Sequence, residues 1–189
     1  MKQHLRTAIL YTVFTGVLLG LGYPMVIAAF AHVLFPRQAS GELIVHNGTV
    51  VGSHLIGQPF TGPTYFHSRP SAAGSGYDGN ASSGSNLAPT NRALIDRVTQ
   101  SVAAEKQSSG DVPVDLVTAS GSGLDPDISP AAAYYQVPRI AQQRHLPETS
   151  VRDLVTAKIT PRQFGLLGEA RVNVLDLNLA LDELQPQKR

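Results

Sequence analysis

From Thr7 to Pro36 the chain carries no Asp, Glu, Lys or Arg, and no other feature limits its fold so strongly. A helix over Ala8–Leu34 would be ~40 Å long, more than the ~30 Å hydrocarbon core of a bilayer requires. A surface helix of a soluble domain would show a polar stripe, and this segment shows none. It therefore reads as a single transmembrane helix, which Pro24 is expected to kink, leaving backbone groups for a neighbouring helix to satisfy. The rival reading is a cleaved signal peptide, since Ala29-Phe30-Ala31 has the small-x-small form of a cleavage site. However, the apolar stretch before it runs about 20 residues, against ~7–15 for a signal h-region. Apolar residues also continue past it at Val33, Leu34 and Phe35.

Lys2, Arg6 and the amino terminus outweigh the lone Arg37 on the far side. The positive-inside bias then places the N-terminus in the cytoplasm and the rest of the chain outside. Gly16 and Gly20 form a GxxxG pattern, which lets a second helix approach closely. The competing explanation is that Gly is simply common in membrane helices. The organisation expected is a cytoplasmic tip plus span over residues 1–36 and one extracytoplasmic domain over residues 37–189, with a long Gly/Ser loop at 71–91.

The outer part is close to neutral: without Lys2 and Arg6, 13 of the 15 basic residues face 14 acidic ones. A nucleic-acid binder would show a basic face, so that class is set aside. There is no Cys, which removes disulfides, thiolate zinc sites and Cys nucleophiles together. Trp is absent too, so the core must rest on Leu, Val, Ile and Ala.

Residues 36–41 read as a short linker. Glu42–Val45, Asn47-Gly48 and Thr49–Val51 read as a β-hairpin, because Asn-Gly supplies the positive φ of a type I′ turn. After Pro89, the spacing of Leu94, Ile95, Val98 and Val102 predicts a helix, ended by Gly110. Val112–Thr118 reads as a buried strand. Ser129 is suited to cap a helix that Pro130 begins, and Pro138 predicts a break into two short helices. A helix over Thr149–Ile159, an extended Val172–Val174 and a final helix over Asp176–Leu184 complete the pattern. Strands and helices do not alternate regularly, so an α+β domain is expected.

Motifs of known chemistry are few. Gly74-Ser75-Gly76-Tyr77-Asp78-Gly79 spells GxGxxG, but it lies in a polar loop with no strand before it, so no pyrophosphate cradle is expected. His46, His54, His67 and His145 lack metal-site spacing, and Asp125-Pro126-Asp127 lacks the further ligands of a calcium loop. No acid–base couple stands out, and the chemistry gives no positive case for an enzyme.

Several segments nevertheless occur together in a distinctive order. They are Leu55-Ile56-Gly57-Gln58-Pro59-Phe60; Tyr65-Phe66-His67-Ser68-Arg69-Pro70-Ser71; Ser83-Gly84-Ser85-Asn86-Leu87; the run Asp115–Pro126 with Ile128-Ser129-Pro130; Tyr135-Gln136 with Pro138-Arg139; and Val172–Asn178. In this order and spacing the chain resembles the KdpC family, the small subunit of bacterial Kdp-type potassium-transporting P-type ATPases. The likeness spans nearly the whole chain. Asp127 departs from it, standing where the family pattern often has His, and so does Ala88, where Gly is often seen.

The resemblance implies a non-catalytic subunit in the bacterial inner membrane, with two partners: a multispanning potassium-passing subunit and a phosphorylated P-type ATPase subunit. It implies no intrinsic cofactor and no metal. ATP enters only through the catalytic partner, whose affinity for it this family is described as raising. Gln136 is the nucleotide-contact candidate, with helix packing as its competing role. Tyr65, His67, Arg69, Ser85, Asn86 and Asp125 are candidates either for partner contact or for anchoring the long loop. Charge bias places the domain away from cytoplasmic ATP, which favours covering the outer mouth of the ion-passing subunit. The rival classes are a free-standing extracytoplasmic binding module and a secreted hydrolase.

Overall fold

A computed structural model describes residues 1–106 and 110–184. The chain divides into two compact units, residues 1–51 and residues from 52 onward. In the first, α1 (Lys2–Val17) passes through a π turn (Leu18–Gly22) into α2 (Tyr23–Leu34). This 33-residue run is long and apolar enough to cross a membrane. Just before Pro24, where a kink is expected, the helix departs from α geometry as the π turn. Proline has no N–H to give Gly20, and its ring crowds that carbonyl. Here the N–H of Tyr23 reaches back five residues to Leu18 O, widening the turn one step before the proline.

The expected linker contains one short helical turn, α3 (Pro36–Ala39). β1 (Leu43–His46) then pairs with β2 (Thr49–Ser53). Asn47 and Gly48 both have positive φ, 50° and 77°, as the expected two-residue turn requires.

The second unit has α4 (Arg92–Glu105), a 3₁₀ turn at Val114–Leu116, β3 (Asp127–Ile128), α5 (Pro130–Arg144), α6 (Glu148–Lys158), β4 (Ile159–Thr160), β5 (Arg171–Asn173) and α7 (Val174–Leu184). β5 lies between β3 and β4, antiparallel to both. The architecture is α+β, as expected. Ile128 and Val172 face each other across the β3–β5 register. They share one buried cluster with Ala133, Val137 and Ile140 of α5, Val151 and Val155 of α6, and Leu177 and Leu181 of α7.

Three expectations are corrected. The helix after Pro89 ends at Glu105, where Lys106 turns extended, and not at Gly110. Val112–Thr118 is not a strand: the carbonyl of Val114 accepts from both Val117 and Thr118, curling the chain into a turn. Leu116 and Val117 are buried while Val114 is exposed, and a short apolar run cannot distinguish such a turn from a strand by periodicity. Pro138 does not split its helix, since α5 runs unbroken from Pro130 to Arg144. The proline sits on the exposed side, where solvent can take the carbonyl it leaves free, while Gln136, Val137, Ile140 and Ala141 pin the opposite face.

Both ends of α5 are built locally. The Ser129 hydroxyl accepts the N–H of Ala132 at 3.1 Å, and Ser129 gives its own N–H to Asp115 at 2.6 Å. At the far end His145 takes the left-handed conformation, and Leu146 N–H returns to Ala141 O at 3.0 Å. This is a Schellman closure with Pro147 directly behind it.

Candidate functional site

The segment Pro63–Arg69 lies against α5 and α7, turning at Pro63–Tyr65 and then running from Phe66 to Arg69 without joining a sheet. Backbone polar groups in such a place must find other partners, and here side chains supply them. Arg139 donates to the carbonyls of Pro63 (2.5 Å) and Tyr65 (3.0 Å), and Arg144 donates to that of Thr64 (2.7 Å). Asn178 accepts the Phe66 N–H at 2.8 Å and donates to the Phe66 carbonyl at 3.0 Å. Gln136 does the same for His67, at 2.7 and 3.3 Å. The Tyr77 hydroxyl donates to the Arg69 carbonyl. Two amides, one from each helix, thus hold two successive residues by both of their backbone groups.

Gln136 is fully buried. Its oxygen also accepts from Arg139 at 2.8 Å, and its nitrogen also donates to Ala132 O at 3.3 Å. Both donors and the acceptor of its amide are engaged from within the domain. Burial holds the Arg139 guanidinium below the usual arginine range, with Glu105 opposing the shift. Tyr65 donates to Asp182 at 3.1 Å, and Arg144 lies over its ring at 4.7 Å. Burial and then Asp182 push the Tyr65 hydroxyl up.

The ring of His67 contacts Glu105 at 2.8 Å through Nδ1 and the Gly62 carbonyl at 3.2 Å through Nε2. A histidine with an orienting carboxylate resembles a general base. Its second nitrogen, however, is turned to a carbonyl instead of a hydroxyl, so no nucleophile is activated. Arg69 pairs with Asp125 at 2.9 Å, and Asp125 also accepts the N–H of Asp127 at 3.0 Å. Beside Arg69 and His67 lies a cavity of about 380 Å³ that Phe60, Tyr77, Ser101 and Leu116 also line. The buried Arg69 Nε has no partner among the described residues.

The Gly/Ser loop is held in place chiefly by backbone contacts. Ser71 donates to Gly123 O at 2.6 Å and accepts from Tyr77 N–H at 2.8 Å, while Ser83 N–H reaches Ser122 O at 2.9 Å. Gly123, at φ +67°, permits this approach: a Cβ there would lie 2.5 Å from Ser83 O. Ser85 is half-buried in this loop. Asn86 is exposed with positive φ, and its amide reaches only as far as Ser83 at 3.4 Å. Neither makes a described bond to the cluster of Tyr65, His67, Arg69, Asp125 and Gln136. Gly16 and Gly20 lie in the other unit, where a Cβ at either would meet nothing within 4 Å. Among the described residues no group of three His, Cys, Asp or Glu could hold a metal ion.

Sequence reasoning missed the clamp residues Arg144 and Asn178 and the connection between β4 and β5. In that connection Phe164, Leu166 and Leu167 are 92, 80 and 59% exposed. Their apolar character beside Gly165 and Gly168 was the available signal.

Known proteins resemble the chain along its whole length. The family model described as "K+-transporting ATPase, c chain" matches residues 5–183. A protein of Acidobacterium capsulatum named potassium-transporting ATPase KdpC subunit is 65% identical over 182 residues, covering 96% of this chain and 99% of its own. Proteins of the same name from Koribacter versatilis and Gemmatimonas aurantiaca are 55 and 56% identical over 188 residues. They cover 98 and 97% of this chain, and 97 and 94% of their own.

Proposed function

Because the chain belongs to the KdpC family, the c chain of the potassium-transporting ATPase, we propose that it serves as the non-catalytic, membrane-anchored subunit that stabilises this assembly from outside the cytoplasm. The observation that carries the reading is how the domain uses its reactive side chains. His67, Arg69, Gln136, Arg139 and Arg144 each bind the domain's own backbone or carboxylates. Such a domain is a rigid block suited to contact through its surface, and its polar residues are committed to keeping that surface fixed.

The partners in this reading are a multispanning subunit that passes potassium and a P-type subunit that is phosphorylated. The span α1–α2, with Gly16 and Gly20 open on its surface, packs against membrane helices of the complex. The outer domain covers the mouth of the ion-passing subunit. Any rise in ATP affinity of the catalytic subunit is then conveyed through the assembly, because Gln136 has no surface on which to meet nucleotide.

The test is mild-detergent purification of the tagged full-length chain, with mass spectrometry and a potassium-stimulated ATPase assay. Co-elution of a multispanning subunit and a P-type ATPase with activity is expected. In that complex, Gln136→Glu should leave the KM for ATP of correctly folded enzyme unchanged. Elution of the chain alone would overturn the reading.

A further inference from the structure

The connection between β4 and β5 is an ordered turn. Gln163 and Leu167 exchange backbone hydrogen bonds at 2.9 Å in both directions, and Gly165 N–H returns to Arg162 O at 3.1 Å. Phe164, Gly165 and Gly168 take positive φ, which fixes the turn and directs its side chains outward. Phe164, Leu166 and Leu167 together bare roughly 460 Å² of apolar surface, taking about 200 Å² for a large side chain. That is the scale at which an exposed apolar patch on a soluble surface marks an interaction site.

We infer that this Phe164–Leu167 tip is a docking knob that seats in an apolar pocket of another subunit of the potassium-transporting ATPase. Two observations select that occupant. The chain belongs to a family of ATPase subunits, so surfaces of other subunits are its expected neighbours. The knob is electrically neutral: the only charged residues between Thr160 and Arg171 are Arg162 and Glu169, which pair with each other at its base. A loop that binds anionic lipid would instead offer unpaired cations around its apolar tip. A rigid aromatic anchor inserted in a pocket is the arrangement that concentrates binding energy at protein interfaces.

The inference rests on the chain's assembly with other subunits, and the experiment separates the two. Phe164 is replaced by the photo-crosslinker p-benzoylphenylalanine in the full-length chain, co-expressed with the other subunits and irradiated in native membranes. Replacement at Arg152, exposed on α6, serves as the control. The expected result is an adduct from position 164 to another subunit of the ATPase, identified by mass spectrometry, and at least about tenfold less from position 152. F164S should leave the unfolding midpoint of the chain unchanged, because the side chain is nearly bare. Adducts only to lipid, only to a second copy, or none at all, in a complex that still co-purifies, would overturn the docking inference alone. Failure of the unaltered chain to co-purify would remove both the assembly reading and this inference.

Discussion

Gln136 and His67 face each other as if they were two residues of a ladder: the amide oxygen accepts the His67 N–H at 2.7 Å and the amide nitrogen donates to the His67 carbonyl at 3.3 Å. Asn178 repeats the arrangement one residue earlier, at Phe66. The side chains of α5 and α7 therefore replace the strand neighbour that this extended segment lacks.

Removing either amide should leave buried backbone groups without partners. Gln136→Ala and Asn178→Ala are each expected to cost about 2–4 kcal/mol. The double variant should cost less than the sum, since a segment freed at one residue is already loosened at the next. Denaturant unfolding of the full-length chain in detergent measures all three, and strict additivity would show the two clamps to be independent.

Arg144 is almost fully buried, with its guanidinium 2.8 Å from Asp182, 2.7 Å from Thr64 O and 4.7 Å from the centre of the Tyr65 ring. Lysine keeps the charge but cannot reach both oxygens in a plane while stacking on the ring. Arg144→Lys is expected to lose about 2–4 kcal/mol, nearly as much as Arg144→Met. Thermal unfolding that shows lysine to be a full substitute would mean that charge alone matters there.

Asp127 contributes a pH dependence of definite sign. Burial raises its carboxyl above the usual range, Arg171 opposes this, and Asp125 adds to it. The folded chain then holds the proton more tightly than the unfolded chain. This stabilising contribution is complete below the ordinary carboxylate value of 3.8 and disappears as pH rises through the raised value. Asp127→Asn should therefore unfold at a higher temperature than the unaltered chain near pH 7, and lose that advantage as the pH falls below the ordinary carboxylate value of 3.8. An advantage that grew toward acid pH would refute the assignment.

The absence of Cys makes orientation directly measurable. Ser40→Cys should react with a membrane-impermeant maleimide added to intact spheroplasts. Lys2→Cys should react only after permeabilisation. The reverse pattern would place the domain in the cytoplasm and remove the proposal that it covers an outer mouth.

The long apolar N-terminal helix, the Asn47-Gly48 hairpin turn, the Ser129-Pro130 helix start and the helices α4, α6 and α7 were legible in the sequence, because each rests on local chemistry. An uncharged run, a dipeptide suited to positive φ, a capping hydroxyl and an apolar period act within a few residues of themselves. What only the tertiary structure decided were outcomes set by distant partners. Pro138 stays inside a helix because buried neighbours on its opposite face hold the turn together. Val114–Leu116 curls because Asp115 is drawn to the start of α5. Gln136 has its role because an extended segment 69 residues earlier in the chain needs an amide where no strand is available. Local pattern carries no record of such a meeting, since it follows from which surfaces the core brings into contact.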